Sequence, residues 1–122
     1  MEQNIPEYMT KMFEVLDKFD AEGFGSFLTE DCTFTHGNMP TVAGRAATVE
    51  FCQGFFKSIK GISHSPKRAI IQPGVHAIEG EVTYTRHDDT KLTLPFCNVF
   101  TMAEGDKIKA YNIYVDASQL HG

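Results

Sequence analysis

Apolar side chains recur with a helical period in the first half of the chain and with a strand period in the second. Ile5, Tyr8, Met9, Met12, Phe13, Leu16 and Phe19 share one stripe, which predicts an amphipathic helix over 5–19 with Pro6 tolerated in its first turn. Two glycines and the spaced Phe24, Phe27 and Leu28 predict a short second helix within 20–28. Cys32 to His36 alternates as a short strand, which Asn38-Met39-Pro40 breaks. Val49, Cys52, Phe55, Phe56 and Ile59 then mark the buried face of a long helix over 45–60, opened by Gly44 and stopped by Gly61.

From Ser63 the period drops to two, and Pro73-Gly74, His87-Asp88-Asp89 and Glu104-Gly105-Asp106 stand at hairpin spacing. Four strands follow, over 63–72, 75–86, 91–103 and 107–116, each the antiparallel neighbour of the next. Their length fits a strongly curved sheet. Pro95 has no N–H to give, so a bulge or an unpaired position is expected there. Helices followed by strands make an α+β plan in which helices cover one face of a bent sheet, closing a cone around a pocket.

A length of 122 residues leaves room for one domain, 1–122, and 42% hydrophobic residues with ten Phe supply both a core and an internal cavity. A net charge of −5 repels a polyphosphate backbone, so nucleic acid is not an expected partner. No apolar run is long enough for a membrane span, and Met1-Glu2-Gln3-Asn4 carries no basic leader signal. Cys32, Cys52 and Cys97, an odd set with no CxxC pair, read as reduced core thiols in a cytoplasmic compartment.

Chemistry-bearing residues are few. Counting back by twos from Asp116 places Tyr114, Asn112, Ala110 and Ile108 on one face of the last strand, and Val115, Ile113, Tyr111 and Lys109 on the other. If the first face is concave, Asp116 is a carboxylate in an apolar cone, where desolvation suits it to acid or base work; otherwise it is an exposed strand end. His36 ends the first strand at the turn, either facing the pocket or bonding at the surface. Asn98 is the one polar residue on a strand face otherwise made of Leu92, Leu94, Phe96, Phe100 and Met102. An amide among such side chains needs a partner: a ligand oxygen, Tyr84, Asn112 or a trapped water. Tyr84 and Tyr114 either aim phenols into the cavity or serve as wall. The five histidines show no metal-ligand spacing, and neither a dinucleotide loop nor a GxSxG elbow is present, so no metal or cofactor is expected.

The runs Leu28-Thr29-Glu30-Asp31-Cys32-Thr33-Phe34, Gly44-Arg45, Gly80-Glu81-Val82-Thr83-Tyr84, Asn98-Val99-Phe100, Gly105-Asp106-Lys107-Ile108 and Tyr111-Asn112-Ile113-Tyr114-Val115-Asp116 stand in the order found in the nuclear transport factor two-like superfamily. The chain resembles that superfamily over nearly its whole length, most of all its SnoaL-like branch of polyketide cyclases and ketosteroid isomerase-like proteins. The resemblance implies a cystatin-like cone with an internal pocket. Where a ketosteroid isomerase has its proton-shuttling carboxylate this chain has His36, where it has the aspartic acid of the oxyanion hole Asn98, and near the oxyanion-hole tyrosine Met12. Of the Asp-Arg-Asp set of limonene epoxide hydrolase only the last member is matched, by Asp116, because Glu81 and Thr83 stand near the other two. The cyclases' acid/base aspartate at the end of the last strand is similar to Asp116.

Two functions follow. The first is a small cofactor-free enzyme performing acid/base proton transfer, of isomerase, cyclase or dehydratase type, on a hydrophobic oxygen-bearing molecule. Asp116 and His36 would be catalytic, Asn98 and Tyr84 would hold oxygen, and Tyr114, Asn112, Phe96, Phe55 and Met12 would line the site. The second is a non-catalytic binding or dimerisation module on the same fold. The enzyme reading requires Asp116, His36 and Asn98 to converge in one cavity, and it predicts that Asp116→Asn abolishes turnover. Cys97, Val99, Ile113 and Val115, taken as outward, predict a homodimer through the sheet.

Overall fold

A computed structural model describes residues 5–121, leaving Met1–Asn4 and Gly122 of the single domain read as 1–122 outside the described residues. Helix α1 spans Glu7–Asp17 and buries Met9, Met12, Phe13 and Leu16, the stripe expected from the sequence. It stops before Phe19, whose φ of 62° breaks the helix and whose ring stacks on Phe56 at 4.7 Å. Helix α2 is Ala21–Gly25, capped by Asp20, which accepts from the Gly23 N–H at 2.8 Å. Helix α3, Arg45–Lys57, buries Thr48, Val49, Cys52 and Phe56.

The strands are β1 Leu28–His36, β2 Val42–Ala43, β3 Gly61–Gln72, β4 Val75–Thr85, β5 Lys91–Met102 and β6 Ile108–Tyr114. They form one curved, unclosed sheet in the order β2-β1-β6-β5-β4-β3. The last four strands are antiparallel neighbours, as the spacing of turns predicts. β1 joins them in parallel along β6, pairing Phe34 with Tyr111 and His36 with Ile113. The core fills the concave side, where Met9, Met12, Phe24, Leu28, Ile78, Phe100 and Ile108 are almost wholly buried beneath the helices. Among the described residues no helix is long and apolar enough to cross a membrane.

Three local departures from a regular ladder set which residues face inward. Pro95 makes no bulge: it stays in register with Glu81, and β6 has already ended, its pairing closing at Cys97 with Tyr114. The bulge falls instead beside the other strand proline, with a register shift between Pro66 and Arg68. Gly80 lies opposite, and a Cβ there would stand 2.4 Å from the Ser65 carbonyl oxygen and 2.7 Å from Pro66 Cα, so only glycine fits. The third departure is in β6, where Thr101 pairs with Ala110 but Met102 pairs with Ile108, leaving Lys109 as an extra residue.

That extra residue reverses the facing of the last strand. Ile108 and Tyr111, three apart, are both buried, and the inward set continues to Ile113 and Val115. Ala110, Asn112, Tyr114 and Asp116 therefore turn outward, with Tyr114 61% exposed. The same shift corrects the set taken as outward: Cys97 and Val99 lie on the convex face, whereas Ile113 and Val115 line the interior.

Candidate functional site

Within the cone, Phe24 of α2 and Phe51, Cys52, Phe55 and Phe56 of α3 face Phe34, His36, His64, Tyr84, Phe96, Asn98, Tyr111 and Ile113 of the sheet across one cavity. The cavity these side chains enclose has a volume of about 50 Å³. That is room for a few water positions, which only a slim group would fit.

Five of the residues expected at the site, His36, Asn98, Tyr84, Phe96 and Phe55, line the cavity together. Four do not. Met12 is wholly buried in the core on α1, Tyr114 and Asn112 stand on the convex face, and Asp116 is exposed. The expected convergence of Asp116 with His36 and Asn98 is thus absent. Asp116 instead accepts from the Ser118 N–H at 3.1 Å, and hydrogen bonds from Ser118 hold its carboxyl below the usual range.

A different carboxylate meets a cavity imidazole. Asp17, on the last turn of α1, accepts from His64 Nδ1 at 2.6 Å through one oxygen and from the His64 backbone N–H at 3.1 Å through the other. The His64 ring is fixed further by Phe13, stacked at 4.6 Å, and by the edge of Phe96 at 5.7 Å. A carboxylate on Nδ1 requires the proton on that nitrogen, so in the neutral ring Nε2 is the base. Residues 17 and 64 are 47 positions apart on different elements, so no spacing rule joins them.

His36 and Asn98 flank Ile113 in one row across β1, β6 and β5, on the same inward face. The His36 ring packs on Phe55 at 5.3 Å, and burial lowers its pKa below the ordinary histidine value. Asn98 is 2% exposed; its Nδ2 donates to Tyr111 Oη at 3.5 Å, and its Oδ1 has no partner among the described residues. Tyr111 is thus the partner that Asn98 needs, a residue the uninterrupted two-residue count had turned outward. Burial pushes the Tyr84 phenol and the Cys52 thiol each up to about 12 and raises Tyr111 well above the ordinary phenol value, so all three stay protonated at neutral pH. Among the described residues no three His, Cys, Asp or Glu side chains are grouped to hold a metal ion.

His36, Phe51, Phe55 and Val115 also line a second space beside the cavity, walled by Gly37, Asn38 and Met39 and by Ala117, Ser118, Leu120 and His121 of the C-terminal strap 117–121. Leu120 anchors the strap in the core, and Arg86 donates from Nε to the Leu120 carbonyl and from Nη2 to that of Gln119, both at 3.0 Å. Asp116 therefore serves the turn that leads into the strap.

A curved sheet wrapped on helices around an apolar cavity, with acid/base groups in its wall, places the molecule among the small cone-shaped α+β proteins. More narrowly, the chain belongs to the SnoaL-like domain family, which it matches over residues 9–111. Its fold is similar to that of TerC co-crystallised with polyporic acid, at 24% identity over 94% of this chain and 93% of that one with a TM-score of 0.81. It is also similar to a protein of ketosteroid isomerase-like fold from Catenulispora acidiphila in complex with trimethylamine, at 16% identity over 91% and 86% of the two chains and a TM-score of 0.83. A third similar structure is a putative SnoaL-like polyketide cyclase from Jannaschia sp. CCS1, at 11% identity over 98% and 94% with a TM-score of 0.80. No curated protein sequence matches the chain.

Proposed function

We propose that the protein is a small acid/base enzyme, of isomerase, cyclase or dehydratase type, acting on a hydrophobic oxygen-bearing molecule held in the cone. The observation that carries this reading is the Asp17–His64 pair at 2.6 Å in the wall of an apolar cavity. Asp17 fixes the ring and its tautomer, and His64 Nε2 takes or returns the proton. His36, kept neutral by burial, is the second proton carrier, and Tyr84 with Asn98 holds the substrate's oxygen. The family match supports the reading, as do the small molecules named in two of the neighbouring structures.

A second reading, a binding module without turnover, is favoured by the exclusion of Asp116 from the cavity. One experiment separates the two. Compounds that copurify are identified by native mass spectrometry, then incubated with the protein in D2O and followed for conversion or for exchange of carbon-bound hydrogen. Turnover is expected, with His64→Gln and Asp17→Asn each reducing kcat by on the order of 10²–10⁴ and Asp116→Asn staying within about twofold of the parent. A compound that binds and returns unchanged supports the module instead. We also propose that the convex face, with Cys97, Val99, Ala77 and Tyr114, pairs with a second copy of the chain.

A further inference from the structure

Asn98 and Tyr111 form a hydrogen-bonding pair in the cavity wall, with the amide oxygen unpartnered and the residue 98% buried from solvent as read from its 2% exposure. With Nδ2 donating to Tyr111 Oη, the phenol's own proton is not used on Asn98, and Oδ1 remains to accept. With the amide turned over, the phenol donates to Oδ1, the amide N–H groups become free, and the phenol oxygen keeps a lone pair. Both arrangements present at least one donor and one acceptor side by side. A hydroxyl satisfies both together, because it donates and accepts through a single oxygen. An ether, a ketone or a carboxylate can only accept, and would set its lone pairs against the pair's acceptor.

Charge points the same way. No lysine or arginine is among the residues lining the cavity, so a carboxylate or phosphate would find only the imidazoles of His36 and His64 beside it, with no fixed cation. Two strand spacings, approximately 9.5 Å, separate the backbones of Asn98 and His36 across Ile113. A group anchored at the pair thus extends the rest of the ligand along the slot toward the imidazole.

We propose that the ligand of this cavity is a slim, neutral molecule carrying an alcohol, enol or phenol hydroxyl, and that this hydroxyl is bound at the Asn98–Tyr111 pair. The inference deepens the proton-transfer reading by naming the group that anchors its substrate, and it reverses one role expected of Asn98, from donor to an oxyanion to one half of a hydroxyl site.

The test is calorimetric binding at pH 7 of four probes of one shape: 4-methylphenol, 4-methylanisole, 4-methylbenzoate and para-xylene. 4-Methylphenol is expected to bind on the order of tenfold or more tightly than the other three. In Asn98→Leu the gap should close to within about threefold, with para-xylene binding retained as the sign that the cavity survives. Equal binding of 4-methylanisole, tighter binding of 4-methylbenzoate, no binding of 4-methylphenol at millimolar concentration, or a gap that persists in a folded Asn98→Leu protein overturns the proposal. If Asn98→Leu does not fold, the ranking by the parent protein decides alone. Asp17→Asn and His64→Gln should keep the hydroxyl preference. In the parent protein, a hydroxyl preference with no turnover of any bound compound defeats the enzyme reading alone, and turnover with no hydroxyl preference defeats the anchor alone.

Discussion

His36 is a half-buried imidazole packed on Phe55, and its partial burial lowers its pKa. The unfolded chain therefore takes up the proton more readily than the folded one, so stability falls as pH drops through the ordinary histidine range near 6.5 and keeps falling until the folded pKa is passed. Thermal melts between pH 7.5 and 5 should show this loss, and His36→Gln should show less of it. An equal slope in the variant would place the titrating group elsewhere. Asn98 was legible in the sequence because a lone amide on an apolar strand face needs a partner. Asp17 was not, since on its own helix it is one more acidic residue beyond the buried stripe, and only the packing of α1 on β3 brings it to His64.

Among the elements, the helices and the four long strands could be read from period alone, whereas their irregularities could not. Period two carries a facing from one end of a strand to the other only while the count is unbroken, and Lys109 breaks it. A bulge has no signal in a lysine. At the Pro66 bulge the sequence did hold a sign, for Gly80 stands mid-strand on the facing partner. Gly80→Ala would drive a Cβ into the backbone of Ser65 and Pro66. It is expected to cost about 1–3 kcal/mol, read as a fall in Tm of roughly 4–12 °C. An unchanged Tm would mean that β3 can slide away from β4 freely. β2, two residues long, and the parallel seating of β1 left no pattern to read.

For the whole molecule, the convex sheet face carries Cys97 and Val99 half-buried and Tyr114 61% exposed, an apolar strip where the expectation of pairing now rests. Sedimentation at micromolar concentration is expected to report about twice the protomer mass, and Val99→Lys with Tyr114→Lys to halve it without altering the melt of the protomer. A strictly monomeric parent would leave that strip as ordinary solvent-facing sheet.

β1 and β6 are distant in sequence and adjacent in space, and the row His36–Ile113–Asn98 exists only once they have met. Joining them closes a loop of more than seventy residues, among the slowest contacts for a chain to make. Hairpins β3–β4 and β4–β5 close over short loops at lower entropic cost, so the topology favours their forming before the cavity wall is joined. A ligand that spans the row then binds only the finished fold, and its affinity adds directly to the free energy of folding. Occupancy and completion of the fold become one equilibrium, and a chain stalled before β1 docks has nothing with which to bind.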